Sequence, residues 1–103
     1  MEGEQHKCTM RGILDIIGGK WSMPIIYALF SGTKRFSELE RGVANINTRM
    51  LVKELKNMEA NGIVRREVFA TVPPTVEYTL TAKGRKLEPI LCALHHWGEE
   101  HLV

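Results

Sequence analysis

Cysteine is scarce in this sequence: two of 103 residues, Cys8 and Cys92, far apart in the chain. That excludes a disulfide framework and the paired cysteine spacings of zinc sites. No apolar run approaches the ~18 residues that cross a bilayer, so no membrane partner is expected. The opening Met-Glu-Gly-Glu-Gln-His-Lys is polar and lacks the apolar stretch of a secretion signal, which makes the cytoplasm the expected location. There is no Ser/His/Asp order of note and no paired carboxylates in an evident cleft; the acids are scattered over helix faces, so nothing supports an enzyme. No repeat, low-complexity tract or linker interrupts the chain. Residues 1–103 read as one domain with a thin core, a size at which oligomerisation is a natural source of stability.

What is present is an ordinary globular composition, 44% hydrophobic and 25% charged, with a net charge of only +2. The distribution of charge says more than its sum. Residues 34–66 carry eight bases (Lys34, Arg35, Arg41, Arg49, Lys53, Lys56, Arg65, Arg66) against four acids, whereas residues 67–103 are net acidic. A basic middle suggests a face that meets a polyanion.

The apolar spacing of Met10, Ile13, Leu14 and Ile17 predicts a helix over 9–17, ended by Gly18-Gly19. A second helix is expected over 21–30, with Pro24 tolerated in its first turn. Arg35-Phe36 reads as a very short strand, and Ser37 as the cap of a short helix to Arg41. Asn45-Ile-Asn47 is a turn. Asn47 caps a helix over 48–60, with Ile46 and Leu51 placed as a hydrophobic staple and Asn61-Gly62 as its stop. Residues 63–69 and 75–80 are β-branched and aromatic runs around Ala-Thr-Val-Pro-Pro, a hairpin in which Val76, Tyr78 and Leu80 share a face. Thr81 caps a last helix over 82–101. The fold class is α+β, mainly α: a tight pair of short helices followed by a hairpin, the winged helix-turn-helix order.

On the helix over 48–60, at about 100° per residue, Leu55 and Met58 fall within about 40° of Leu51 and form the buried stripe. Arg49, Lys53 and Lys56 gather near the opposite pole, with Asn57 beside them and Glu54 and Glu59 to the sides. Such a helix enters a major groove with its N-terminal residues nearest the bases. Asn47 and Thr48 are assigned to phosphate or base-edge contacts, Arg49 to a bidentate guanine contact, and Lys53 and Lys56 to phosphates; Val52 belongs to the same helix surface. Lys20, Arg35, Ser37, Arg65, Arg66 and Thr75 are further candidate DNA contacts. A solvated cationic face is the plain alternative, and a protein–protein interaction module that binds no DNA is the rival from another class.

Six blocks, Ile17-Gly-Gly-Lys-Trp21, Arg35-Phe-Ser-Glu-Leu39, Asn47-Thr-Arg-Met-Leu51, Leu55-x-x-Met-Glu-x-Asn-Gly-Ile-Val64, Val72-Pro-Pro-Thr-Val-Glu-Tyr78 and Leu80-Thr-x-x-Gly84, resemble the HxlR family of bacterial winged-helix regulators, relatives of the MarR group. The resemblance runs from Cys8 to about Gly98. It implies a homodimer on an inverted repeat of double-stranded DNA, a recognition helix at Asn47 to Ala60 and a wing at about Phe69 to Val76. Two departures stand out. Thr75 follows the double proline where the family often has a cation, so the wing is expected to position the backbone more than read sequence. Thr9 follows Cys8 where the family usually has proline. In several family members this cysteine looks like a sensor of oxidants or electrophiles; His6, Lys7 and a nearby helix N-terminus would favour the thiolate. Packing at a dimer interface is the alternative for Cys8. An oxidant or small-molecule inducer is possible, and no cofactor is expected.

Cys92, inside an apolar helix, is expected to be buried and inert. His6, Cys8, His95, His96 and His101 have no diagnostic metal spacing, so no metal is expected. The last helix is more apolar than one core needs: Leu87, Ile90, Leu91, Leu94 and Trp97 with Met10, Ile13 and Leu14 of the first helix are the candidate dimer interface. Finally, Asp15-Ile-Ile-Gly-Gly-Lys-Trp-Ser22 only superficially resembles a phosphate-binding loop. Trp21 parts Lys20 from Ser22, the upstream glycine is missing and the preceding segment is helical. It reads instead as the corner between two helices, with Trp21 as a core anchor and Lys20 either on a phosphate or in solvent.

Overall fold

The computed structural model describes residues 2–102, with side chains from Thr9 onward. The elements follow as α1 (Glu2–Ile17), α2 (Ser22–Leu29), β1 (Lys34–Arg35), α3 (Phe36–Gly42), α4 (Thr48–Ala60), β2 (Val64–Phe69), β3 (Thr75–Leu80), α5 (Ala82–Arg85) and α6 (Glu88–His101). The strands form one antiparallel sheet in the order β1-β3-β2. This is the helix pair and hairpin expected, with β1 closing the sheet.

α2 is the centre of the packing. Ile25, Ile26 and Leu29 are wholly buried, and they meet Leu39 of α3, the Leu51, Leu55 and Met58 stripe of α4, Tyr78 and Leu80 of β3 and Leu91 of α6 in one core. Ser22, also buried, donates its hydroxyl to the Gly19 carbonyl at 3.1 Å, so the polar group costs little inside the core. Of the described α1 side chains, Ile16 and Ile17 alone join this core; Met10, Ile13 and Leu14 stand out of it. Trp21 is half-buried against the core and carries the Lys20 ammonium 5.0 Å from its ring, which gives Lys20 a partner other than solvent.

The turns follow side-chain chemistry. Asn47 Oδ1 accepts from the Met50 N–H at 2.8 Å, the N-cap that the sequence predicts. Asn45 takes a left-handed φ of 67°, which asparagine tolerates. Gly62 (φ 73°) ends α4 and turns the chain into β2. The Thr81 hydroxyl accepts from the Gly84 N–H at 3.0 Å and donates to the Gly62 carbonyl at 2.5 Å, while its own N–H donates to the Ile63 carbonyl at 3.0 Å. The start of β2 is thereby clasped to the start of α5.

Four expectations are corrected. Ser37 is not the cap of α3: the helix begins at Phe36, and the Glu38 carboxylate reaches back to accept from the Arg35 N–H at 2.7 Å. That backbone hydrogen bond, with Lys34, Arg35 and Arg41 nearby, holds the Glu38 carboxyl below the usual carboxylate range. The last helix is two, broken at Lys86-Leu87, because Pro89 has no N–H to continue the ladder and seats itself in the first turn of α6. The first helix reaches back to Glu2, which puts Cys8 beyond the first turn, where the helix dipole has faded. Cys92 is exposed, because α6 turns Leu91 inward and leaves its neighbour on the outer side.

Gly84 is the tightest point of the clasp. A Cβ there would lie 2.2 Å from the Ile63 carbonyl oxygen and 3.1 Å from Leu80 Cδ2. Gly84→Ala is expected to destabilise the fold by about 3 kcal/mol, read by urea denaturation at unchanged m. A loss below about 0.5 kcal/mol would mean that the junction opens freely.

Candidate nucleic-acid interface

α4 is rotated by its own core stripe. With Leu51, Leu55 and Met58 each no more than 1% exposed, Arg49, Val52, Lys53 and Lys56 must face outward, and all four are exposed. The helix stands at the edge of the domain with the β2–β3 hairpin beside it. Between them lies a groove of about 440 Å³ lined by Phe36, Val52, Lys56, Glu59, Arg66, Val76 and Tyr78. A second groove, lined by Arg35, Phe36, Ser37, Pro74, Thr75 and Val76, shares Phe36 and Val76 with the first. The two grooves together bring Lys56, Arg66, Arg35, Ser37 and Thr75 around a common apolar floor.

Arg65 is separated from that group. In the β2–β3 register Arg65 is opposite Thr79 and Arg66 opposite Tyr78, so the two arginines point to opposite faces of the sheet. Arg66 shares the face of Val64, Val76 and Tyr78, toward α4; Arg65 shares the other face with Glu67, Glu77 and Thr75, but unlike Thr75 it lines neither groove. Arg35, opposite Glu77 on β1, puts a cation beside that acid pair. Lys53 is exposed but lines a polar hollow with Asp15, Glu54 and Asn57, where the Asn57 amide donates to the Asp15 carbonyl at 3.3 Å. That bond links the end of α1 to the outward face of α4. Lys20 sits at the nearby Gly18-Gly19 corner.

Two features of this surface escaped the sequence reading. Glu59, expected at the side, shares the groove with Lys56 and Arg66. The Thr48 hydroxyl, assigned from the sequence to phosphate or base-edge contacts, donates to the Glu40 carboxylate of α3 at 2.5 Å. A spacing of eight residues across a turn has no periodic signature; only the angle between the helices brings the two side chains together.

On α1 and α6, Met10, Leu14, Ile90, Leu94 and Trp97 are half exposed or more and Ile13 is 39% exposed. Leu91 lies in the core and Leu87 packs against it, so these two hold α6 to the body. A shallow apolar groove of about 380 Å³ between α2 and α6 is lined by Met23, Pro24, Tyr27, Leu91, Leu94 and His95, with His95 resting on the Tyr27 ring 5.4 Å away. His95 and His96 approach the Glu99 carboxylate at 3.5 and 3.8 Å. Among the described residues no three His, Cys, Asp or Glu side chains gather as a metal ion requires, and no helix is long and apolar enough to cross a membrane. The side chains of His6 and Cys8 lie outside the described residues.

A capped, cation-bearing α4 preceded by α3 across a turn and flanked by a three-stranded sheet defines a winged helix-turn-helix protein. Within that class the chain belongs to the HxlR-like helix-turn-helix family, whose sequence profile matches residues 16–103. The HTH-type transcriptional regulator YybR of Bacillus subtilis is 48% identical over 94 residues, which cover 91% of this chain and 75% of that one. The redox regulator HypR in its oxidised form superposes with a TM-score of 0.85 at 48% identity, over 91% of this chain and 97% of that one. The reduced form of HypR gives a TM-score of 0.84 at 48% identity, over 89% and 91% of the two chains.

Proposed function

We propose that this chain is a transcription regulator that binds double-stranded DNA as a homodimer on an inverted-repeat operator. α4 lies in the major groove and the β2–β3 hairpin beside it. The observation that carries the reading is the outward row Arg49, Lys53 and Lys56, fixed by a fully buried opposite stripe and continued by Arg66 and Arg35 around the grooves. A merely solvated helix has no reason to share its cations with the adjacent hairpin. Arg49 reads a base edge, and Lys53, Lys56 and Arg66 neutralise phosphates. Thr75 and Ser37 supply neutral hydrogen bonds at the hairpin side, whereas Arg65 and Lys20 lie at the margins of the contact. The names of the relatives, transcriptional regulators among them, point the same way.

The dimer is supported by the apolar side chains left uncovered on α1 and α6: Met10, Ile13 and Leu14 with Ile90, Leu94 and Trp97. A twofold pairing through these helices sets two copies of α4 about one DNA turn, ~34 Å, apart. Control of transcription is then steric: the dimer on its operator blocks or positions polymerase. The redox chemistry in the name of HypR suggests an oxidant as the inducer, with Cys8 as the thiol on α1 that would receive it. A change in α1 alters the angle between the two protomers, and a few ångströms between the α4 helices end simultaneous docking.

Three measurements test this. In gel shifts on the protein's own promoter region with salt varied, Arg49→Ala is expected to weaken specific binding by about 1–3 kcal/mol and blur one operator position. Lys56→Ala weakens all DNA about equally and lowers the salt slope by ~1; wild-type binding by both variants would mean that α4 is not the reading helix. In sedimentation at micromolar concentration, wild type runs as a dimer and Leu94→Glu as a folded monomer; a wild-type monomer contradicts the pairing. Oxidant is expected to change operator affinity in wild type and in Cys92→Ser but not in Cys8→Ser. Because Cys92 is exposed, an equal response in Cys8→Ser would move the chemistry away from Cys8.

A further inference from the structure

We propose that Glu40 is a specificity-determining residue: it fixes the Thr48 hydroxyl as a hydrogen-bond acceptor toward DNA and turns phosphate away from the start of α4. The inference rests on α4 being the DNA-reading helix. Thr48 is the first residue of α4 and is exposed, and its Oγ1 lies 2.5 Å from Glu40 Oε2. An ionised carboxylate accepts hydrogen bonds and has none to donate, so Thr48 spends its one proton on Glu40. The oxygen that remains facing outward has lone pairs only. Phosphate oxygens, guanine O6 and N7 and thymine O4 are all acceptors and find nothing to bind there. The donors of the major groove are the amino groups of cytosine and adenine, and these fit.

Asn47, one residue earlier, is in the complementary state. Its Oδ1 is taken by the Met50 N–H, which leaves the amide NH2 to donate. The two adjacent polar side chains therefore offer opposite hydrogen-bond polarity, and neither can exchange roles without breaking its contact.

Charge adds a second effect. The first turn of α4 contains no acid, and its free N–H groups would attract an anion. Glu40 brings a negative charge to that end from α3. A phosphate approaching Thr48 meets repulsion, whereas one approaching Lys53 or Lys56 further along does not. Binding strength that is independent of sequence falls, while base reading is kept.

The test compares wild type, Glu40→Gln, Glu40→Met and Thr48→Val as full chains, confirmed folded by circular dichroism. Each is measured against operator fragments carrying all four base pairs at every position, at several salt concentrations. Glutamine keeps an acceptor oxygen and removes the charge; methionine removes both. Glu40→Gln is expected to bind every fragment about three- to tenfold more tightly at low salt, with a salt slope steeper by ~0.9 and the wild-type base preferences. Glu40→Met is expected to shift preference at one position from the amino-bearing to the keto-bearing base, and Thr48→Val to flatten that same position. The proposal is overturned if Glu40→Gln gains no affinity, or if Glu40→Met and Thr48→Val keep the wild-type profile. If wild type selected no operator at all, the DNA-binding reading would fall with it. An operator that all four proteins read alike removes this inference and leaves that reading standing.

Discussion

The orientation of α4 depends on burial of one stripe. Leu51, Leu55 and Met58 are each at most 1% exposed, and burying side chains of this size contributes on the order of 1.5–3 kcal/mol apiece. The hydrogen bonds at the two ends of the helix, Asn47 to Met50 and Asn61 to Asn57, contribute about 1 kcal/mol each. The stripe therefore decides the rotation of the helix about its axis, and the caps decide where it starts and stops. Turning α4 by one residue would bring a charged or polar neighbour into the core. The outward row of Arg49, Lys53 and Lys56 is thus a consequence of core packing, which is why three long flexible cations can present a fixed pattern.

The same core sets what stands beside that row. α2 contributes Ile25, Ile26 and Leu29 to the centre, and β3 contributes Tyr78 and Leu80. The face of the sheet that carries these residues also carries Arg66 and Val76, and so turns toward α4. Burial again selects which arginine of the Arg65-Arg66 pair joins the cationic surface. The apolar residues Met10, Ile13 and Leu14 of α1 and Ile90, Leu94 and Trp97 of α6 stand out of this core and are left uncovered.

How much of this was legible in the sequence follows from the range of each interaction. The α4 stripe, the Asn47 and Thr81 caps, the hairpin and the Gly62 stop depend on residues within a turn or two of each other, and periodicity with cap chemistry finds them. Ser37 fits a cap by residue type, but the Glu38 carboxylate reaches back to the Arg35 N–H instead. Pro89 was visible as a helix breaker, yet the apolar spacing on both sides of it ran on and masked the break at Lys86-Leu87. The exposure of Cys92 was hidden because α6 is apolar on more than one side, so hydrophobicity alone did not say which side its own core takes. The Glu40 to Thr48 bond and the shared floor of Phe36 and Val76 depend on tertiary angles and left no trace in spacing.

The clasp between the end of α4, the start of β2 and the start of α5 is built on main-chain carbonyls. The carbonyls of Gly62 and Ile63 receive Thr81, the Asn61 carbonyl receives the Lys83 ammonium at 2.7 Å, and Gly84 closes against Ile63 by having no side chain. Such a joint places demands on Gly62, Thr81, Lys83 and Gly84 and on little else. The outward residues of α4 and the tip of the hairpin are free to diverge without loosening it. A lineage can therefore rewrite what this surface recognises by point changes while inheriting the geometry of helix and wing intact.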